Sequence, residues 1–346
     1  MRRLVKIIAT LALVLVIAAA GFIGIASLTE YRPKAEESVS VNGSGTLAKP
    51  DPGSELTLVT FNIGYGGLGK AQDFFMDGGD MVRPNRKADV ESNLDGIQAA
   101  LKELPADVYF IQEADSSSHR SYNIDEVTRI ATDLGGTSAY APNFKSMFTP
   151  YPWPPIGKVD SGLVTVTGLK AAQATRLALP VPFKWPVRLF NLKRCLLVER
   201  VPTADGKELV LVNLHLEAYE DGTGRAEQMA QLVSLLKDEY AAGNYVIAGG
   251  DFNQSFPGAD YPEVSRNWVP GEFDQKALPS GWTVANDPKT PTSRLNDAPW
   301  DGKNQLFGID GFITSPNVEV KAVQTVDEDF EFSDHNPVKL TVVLGN

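Results

Sequence analysis

After residue 54 the chain alternates between short apolar segments and amphipathic segments, and this order strongly constrains its fold. The apolar segments are four to seven residues long and rich in Val, Ile, Leu and Phe, which is typical of buried strands. The alternation predicts a single α/β domain over residues 55–346. The predicted strands are 56–61, 108–111, 163–167, 195–201, 209–214, 245–248, 308–314 and 338–343, and the predicted helices are 88–102 and 225–240.

The N-terminal residues 1–29 contain an uncharged, mostly apolar run, Ile7 to Thr29, behind Arg2, Arg3 and Lys6. A helix of this length can cross the hydrocarbon core of about 30 Å, and the positive flank is expected to stay in the cytoplasm. A cleaved signal peptide is the alternative, but its apolar core is usually only about 7–15 residues long. Both interpretations place the rest of the chain outside the cytoplasm, either anchored in the cell membrane or secreted.

Residues 30–54 are polar, contain Pro and Gly, and show no sustained apolar period. This composition predicts a flexible linker between the apolar run and the α/β domain.

The charge and the cysteine content exclude several classes of protein. The formal net charge is −11, and without Arg2, Arg3 and Lys6 the remainder carries −14, so a broad basic surface for nucleic acid is not expected. The single cysteine, Cys195, lies in an apolar run and excludes both an intramolecular disulfide and a cysteine-based zinc site. No obligate protein partner is expected.

Two segments, 70–84 and 147–156, interrupt the alternation and are predicted to be long loops that either act as binding loops or cover apolar surface. Their aromatic residues could contact lipid or could pack within the loops; these residues are Phe74, Phe75, Phe148, Tyr151 and Trp153.

A glycine motif, G-x-G-x-x-G at residues 64–69, follows the first strand and raises the question of a dinucleotide site. Such a site needs a helix that begins at the loop, whereas Asp77-Gly-Gly and Arg83-Pro84 follow here. We therefore interpret the motif as a tight turn.

Polar side chains end several of the apolar strands. In an α/β sheet the carboxyl ends of parallel strands face one crevice, so these side chains are expected to converge. Carboxylates, amides and imidazoles in one cluster favour Mg²⁺, Mn²⁺ or Ca²⁺ over zinc and indicate metal-assisted hydrolysis of a phosphate ester. The residues are Asn62, Glu113, His215, Asp251, Asn253 and Asp310, joined by Asp334 and His335 in a turn before the last strand.

The motifs around these residues resemble those of the endonuclease/exonuclease/phosphatase superfamily, the DNase I-like hydrolases, over about residues 56–343. The matching segments are Thr60-Phe-Asn-Ile, Ile111-Gln-Glu, Ser161-Gly-Leu-Val, Asn213-Leu-His-Leu, Gly249-Gly-Asp-Phe-Asn, Ile309-Asp-Gly-Phe-Ile and Ser333-Asp-His-Asn-Pro-Val. The resemblance implies a four-layer α/β/β/α sandwich, in which helices flank two mixed β-sheets.

The resemblance also implies roles for the residues. Asn62, Glu113 and Asp334 match the metal site, and Asp251 and Asn253 match the pair that orients or activates the attacking water. His335 matches the histidine at the scissile phosphate, with Asp310 behind it. His215 matches a second histidine, which contacts the phosphate.

Two departures from the superfamily's apurinic-site repair nucleases narrow the function. Those enzymes lack the histidine that matches His215, and they have an acid where this chain has Gly64. The expected activity is therefore a metal-dependent phosphodiesterase or phosphatase outside the cytoplasm, acting on a phospholipid head group or a small phosphorylated molecule. The alternatives are an exported, DNase I-like nuclease and a catalytically inactive binding module.

Overall fold

The computed structural model describes residues 1–219 and 223–345. Residues 220–222 and the last residue of the predicted domain, Asn346, lie outside the described part. The helices are α1 (Arg2–Leu28), α2 (Lys87–Glu103), α3 (Glu126–Leu134) and α4 (Thr223–Ala241). The strands are β1 (Glu36–Val39), β2 (Asn42–Gly43), β3 (Glu55–Asn62), β4 (Val108–Asp115), β5 (Thr137–Thr149), β6 (Gly157–Thr167), β7 (Gln173–Ala178), β8 (Cys195–Pro202), β9 (Glu208–His215), β10 (Tyr245–Asp251), β11 (Gln254–Ser255), β12 (Gly271–Glu272), β13 (Thr283–Ala285), β14 (Ser293–Arg294), β15 (Leu306–Phe307), β16 (Asp310–Thr314), β17 (Val318–Thr325) and β18 (Val338–Leu344).

Two mixed sheets of seven strands form the centre of the domain. One has the order β1-β7-β8-β9-β10-β16-β13 and the other the order β17-β18-β3-β4-β6-β5-β2. In the first sheet β9 and β10 are parallel, and in the second β3 and β4 are parallel, while the remaining neighbours in both sheets are antiparallel. Both sheets therefore contain parallel and antiparallel pairs, as expected for a sandwich of two mixed β-sheets.

Side chains that alternate along the strands create the four layers. Leu58 of β3 and Leu211 of β9 belong to the apolar cluster between the two sheets. Their neighbours point the other way: Val59 packs with α2 and α3, and Val210 packs with α4. The chain therefore has the predicted α/β/β/α sandwich, a DNase I-like α/β fold, with α1 preceding it.

Helix α1 is, within residues 1–219 and 223–345, the one helix long and apolar enough to span a membrane. Its most apolar window has a mean hydropathy of 2.7, and none of that window is buried. These properties fit a membrane anchor and equally fit a signal sequence.

The segment 30–54 differs from the flexible linker that its composition predicts. β1 pairs with β7 at the edge of the first sheet, and β2 pairs with β5 at the edge of the second. The physical reason is a short alternation: Val39 and Val41 pack against the apolar cluster that contains Ala139 and Leu197. We refer to residues 30–54 as the strap, because they join both sheets.

The glycine turn behaves as expected. Residues Gly64–Gly66 form a single 3-10 turn, and the next α-helix begins only at Lys87. The loop therefore offers no helix N-terminus to a pyrophosphate.

Candidate active site

Topology brings the predicted polar residues to one place. Asn62 ends β3, His215 ends β9 and Asp251 ends β10, so each lies at the carboxyl end of a parallel strand. Asp251 lies opposite both His215 and Asp310 in the sheet register, because β16 begins where β10 ends. The two sheets thus contribute to a single crevice between them.

His335 and Asp310 are paired directly in this crevice. His335 Nδ1 lies 2.8 Å from Asp310 Oδ2, and both side chains are buried. Burial lowers the pKa of His335, but the carboxylates of Asp310, Asp334 and Asp251 outweigh burial and raise that pKa to about 10. The imidazole is therefore a cation near neutral pH, with Nε2 directed away from Asp310.

Asp251 occupies the middle of the cluster. Its Oδ2 accepts a hydrogen bond from Asn62 Nδ2 at 3.0 Å and lies 3.4 Å from His215 Nε2 and 3.7 Å from His335 Nε2. Burial, and after it the nearby Asp310 carboxylate, raise the pKa of Asp251. A carboxylate with a raised pKa between two imidazoles is suited to accept a proton near neutral pH.

His215 differs electrostatically from His335. Burial, followed by Arg194, His335 and Arg120, holds the pKa of His215 well below its ordinary value, so this imidazole is neutral. Its Nδ1 is buried and has no hydrogen-bond partner among the described residues. The crevice therefore contains one charged and one neutral imidazole.

The backbone near Asp251 is held in unusual conformations. Gly250 has φ +149°, and a Cβ there would lie 1.9 Å from the carbonyl oxygen of Leu214, so only glycine fits between β9 and β10. Asn253 has φ +50°; its N–H donates to Asp251 Oδ1 at 2.9 Å, and its Nδ2 donates to the Leu216 carbonyl at 2.9 Å. Strained positions of this kind are common at functional sites.

Glu113, Asn62 and Asp334 form the group predicted to bind metal. Glu113 has φ +57°, next to a register shift in β4 between Ile111 and Ala114. Asn62 Nδ2 lies 3.3 Å from Glu113 Oε1, and Asn62 Oδ1 accepts from the Gly64 N–H at 3.1 Å. Asp334 is buried, and burial, offset in part by His335 and reinforced by Glu113, raises its pKa to about 6.

The carboxylates of Glu113 and Asp334 suit a hard divalent cation, and Asn62 would join them through its amide oxygen, which here accepts from the Gly64 N–H. Burial and the neighbouring Glu113 carboxylate disfavour ionisation of Asp334, and a positive ion would relieve that cost. Carboxylate and amide oxygens are the ligands that Mg²⁺, Mn²⁺ and Ca²⁺ prefer. A second set, Asp251, Asp310 and His335, has ligand atoms within 4.8 Å of one another. We favour the first set, because Asp310 already binds His335 and keeps it protonated.

The structure adds polar contacts to the predicted residues, and two of them come from residues that the sequence did not indicate, Ser293 and Asn296. Asn296 Nδ2 donates to Asp334 Oδ2 at 2.6 Å, and Ser293 Oγ lies 3.4 Å from His335 Nε2. Arg225 Nη1 donates to the Asn253 carbonyl at 2.6 Å and so anchors that strained residue. Ser293 and Asn296 come from a polar run with no apolar period, and only three-dimensional proximity reveals them.

All eight predicted residues are brought together. Six of them line one cavity of about 720 Å³, namely Glu113, His215, Asp251, Asn253, Asp334 and His335. Asn62 and Asp310 lie directly behind, hydrogen-bonded to Asp251 and His335. His119, which lies in none of the matching motifs, is exposed, and its Nδ1 accepts from the Lys158 N–H at 3.2 Å.

Comparison with protein-family models gives a match over most of the chain. A model of the Endonuclease/Exonuclease/phosphatase family matches residues 59–335. No curated protein sequence matches the chain.

Three solved structures illustrate the similarity in fold. An endonuclease/exonuclease/phosphatase from Beutenbergia cavernae is 17% identical with a TM-score of 0.57, and the match covers 84% of this chain and 72% of that one. A mannosyl-6-phosphatase from Bacteroides thetaiotaomicron is 17% identical with a TM-score of 0.52, over 84% and 100% of the two chains. The human Nocturnin catalytic domain is 15% identical with a TM-score of 0.52, over 88% and 97%.

Proposed function

The chain belongs to the endonuclease/exonuclease/phosphatase family of phosphoric ester hydrolases, and from that premise we propose a divalent-metal-dependent phosphodiesterase or phosphatase that acts outside the cytoplasm. Its proposed substrate is a phospholipid head group or a small phosphorylated molecule. The observation that carries the proposal is the hydrogen bond between His335 and Asp310 beside Asp251, which places a buried cation next to a carboxylate that can accept a proton.

In the proposed reaction His335 binds the scissile phosphate. Its Nε2–H donates to a phosphoryl oxygen, and its positive charge, maintained by Asp310, stabilises the negative charge that develops there. Asp251 accepts a proton from the attacking water, and Asn253, fixed by its own hydrogen bonds, helps to orient that water.

The neutral His215, whose Nε2 lies 3.4 Å from Asp251 Oδ2, is proposed to contact the phosphate beside that carboxylate. A cation bound by Asn62, Glu113 and Asp334 would neutralise phosphoryl oxygens and polarise the attacking water. The oxygen-rich donor set favours Mg²⁺, with Mn²⁺ or Ca²⁺ as alternatives.

The location outside the cytoplasm is supported by α1 and by the three cations in front of its apolar run, Arg2, Arg3 and Lys6. Protease added to intact cells should degrade the catalytic domain if this orientation is correct. Protection of the domain until the cells are opened would contradict it.

A nuclease is the second candidate, since family members include nucleases, but the charges of the cavity disfavour it. The three arginines in its described lining are engaged: Arg120 with Asp115, Arg194 with Glu217, and Arg294 with backbone carbonyls. A polyanion would find few unpaired cations here, and nucleic-acid binding depends on such cations.

The test compares the full chain with His335→Ala, using bis-p-nitrophenyl phosphate with Mg²⁺ or Mn²⁺. His119→Ala is the matched control, because His119 is exposed and lies outside the cavity lining. We expect hydrolysis by the parent and the control and none by His335→Ala. Equal rates in all three proteins would refute the hydrolase mechanism, and faster cleavage of plasmid DNA than of phospholipids would favour the nuclease.

A further inference from the structure

The cavity at the active site is larger than a phosphate group needs. Its volume of about 720 Å³ lies in the range of about 300–1,000 Å³ that is common for sites of drug-sized ligands. Beyond the catalytic residues, much of its lining is aromatic or aliphatic, and includes Phe74, Phe75, Tyr151, Phe183, Val187 and Phe190. The same cavity therefore joins the phosphate site to an apolar compartment.

The apolar compartment reaches helix α1. Phe190 lines the cavity, and its ring stacks on Phe22 of α1 with a centroid distance of 5.7 Å. Phe148 meets the same Phe22 edge-on at 6.2 Å. A wall of the cavity is thus in direct contact with the helix proposed to cross the membrane.

Polar contacts also hold residues 185–188, close to Phe190 in the chain, against the C-terminal end of α1 and the residues just after it. Trp185 Nε1 donates to Ser27 Oγ at 3.2 Å, and Arg188 Nε donates to Glu30 Oε1 at 2.9 Å. Both aromatic and polar contacts therefore join this wall of the cavity to helix α1.

The surface around this contact is apolar and exposed. We name residues 147–156 and 183–192 the apolar rim. It presents Tyr151, Trp153 and Trp185 to the outside, with exposed fractions of 72%, 88% and 58%. Tyr and Trp are the residues enriched where proteins meet the membrane–water interface. Exposed aromatics beside an apolar helix therefore indicate that the apolar rim rests on the bilayer.

We propose that the substrate is a phosphate ester carrying a hydrocarbon chain, which enters from the bilayer between α1 and the apolar rim. The chain lies among Phe75, Tyr151 and Phe190 while the phosphate lies at His335. This inference rests on the proposed hydrolase function and names its substrate class. Each methylene that enters the apolar compartment is expected to raise kcat/KM about fourfold, from the free energy of burying one CH₂.

The first test uses the full-length chain in phosphatidylcholine nanodiscs and a series of alkyl p-nitrophenyl phosphates with methyl, butyl, octyl and dodecyl chains. We expect kcat/KM to rise with chain length until the cavity is filled. Equal values across the series would overturn the chain-binding proposal and leave the hydrolase function intact. Absence of hydrolysis for every member would instead overturn the hydrolase function.

A variant in the cavity adds a second readout. Val187→Trp places a larger side chain in the apolar compartment, at a position 55% exposed and therefore tolerant of bulk. The ratio of octyl to methyl kcat/KM should fall at least about tenfold, the equivalent of nearly two buried methylenes. Val264→Trp is the control, because Val264 is 62% exposed and outside the cavity lining. An unchanged ratio in Val187→Trp would contradict the proposal.

The membrane contact is tested by tryptophan fluorescence in nanodiscs that contain brominated lipid, which quenches nearby indoles. The expected result is strong quenching in the parent, lost in the Trp153→Phe/Trp185→Phe variant and kept in Trp282→Phe. Trp282 packs instead on Tyr240 of α4, with ring centroids 5.8 Å apart. Equal quenching in the parent and the double variant would show that the apolar rim does not touch lipid and would overturn entry from the bilayer.

Discussion

His335 Nδ1 lies 2.8 Å from Asp310 Oδ2, and the other oxygen of Asp310 has no hydrogen-bond partner among the described residues. The carboxylate is therefore directed at the imidazole alone. This makes Asp310 the main group that keeps His335 charged.

Replacement of Asp310 should weaken catalysis by changing the charge state of His335. In Asp310→Asn the opposing carboxylate is lost, so the pKa of His335 should fall from about 10 toward or below its ordinary value. We expect kcat to drop by roughly 10²- to 10⁴-fold, the range typical of acid–base groups. Activity assays and NMR titration of the imidazole provide the measurements. Asp301→Asn, at an exposed ion pair with Lys303, is the control. A His335 that still titrates near pH 10 would contradict this assignment.

Removal of a predicted metal ligand should weaken metal binding. Glu113→Gln keeps the shape of the side chain but removes a charge from the group with Asn62 and Asp334, so the Kd for Mn²⁺ should rise at least about tenfold. Titration calorimetry on the full chain measures this change, and chelation with EDTA should abolish turnover. Glu319→Gln, at a surface ion pair with Lys321, should leave the Kd unchanged. If both variants bind Mn²⁺ like the parent, the metal site lies elsewhere.

Gly250 should tolerate no side chain. Both Gly250 and Gly206 have positive φ, but a Cβ meets the Leu214 carbonyl at 1.9 Å in the first case and nothing within 4 Å in the second. Gly206→Ala should lower the free energy of unfolding by about 1–2 kcal/mol from backbone strain alone. Gly250→Ala should cost at least about 2 kcal/mol more, since β9 and β10 must move apart. Urea denaturation compares them, and equal losses would show that the close approach is unimportant.

Glu199 should make stability depend on pH. Burial raises the pKa of this carboxyl from 4.5 to about 8, and neither oxygen has a hydrogen-bond partner among the described residues. The folded state thus holds a proton that the unfolded state releases, so the free energy of unfolding should fall between about pH 4.5 and 8, by about 1.4 kcal/mol per unit. Glu199→Gln should flatten this slope in denaturation series at several pH values. A slope equal to that of the parent would show that Glu199 does not cause it.

Much of the fold follows from the sequence because apolar periodicity marks buried strands and helices. The predicted strand 209–214 and helix 88–102 match β9 and α2 to within one residue at each end. Strand β5 was not predicted, because Pro142 and several polar residues interrupt its pattern, and its pairing with β6 shifts register at Pro142. The strap was not predicted either, since its strands are short and lie at sheet edges.

The candidate active site could likewise be predicted in part. Asn62, His215 and Asp251 could be found because a polar residue that ends an apolar strand is conspicuous in sequence. Ser293 and Asn296 could not, because their segment shows no apolar period and its contacts come from residues about 40 positions away. The aromatic residues in segments 70–84 and 147–156 indicated only one wall of the apolar cavity. The other wall comes from residues 183–192, which no sequence pattern connects with them.

The strap has a kinetic consequence. Its residues pair with both sheets and Glu30 binds Arg188, so the structure holds the catalytic domain against α1 instead of joining the two by a loose tether. In a bilayer the enzyme would therefore search in two dimensions and reach only molecules of its own leaflet. Turnover should follow the mole fraction of substrate in the membrane, so that added inert lipid dilutes the reaction even at constant bulk concentration.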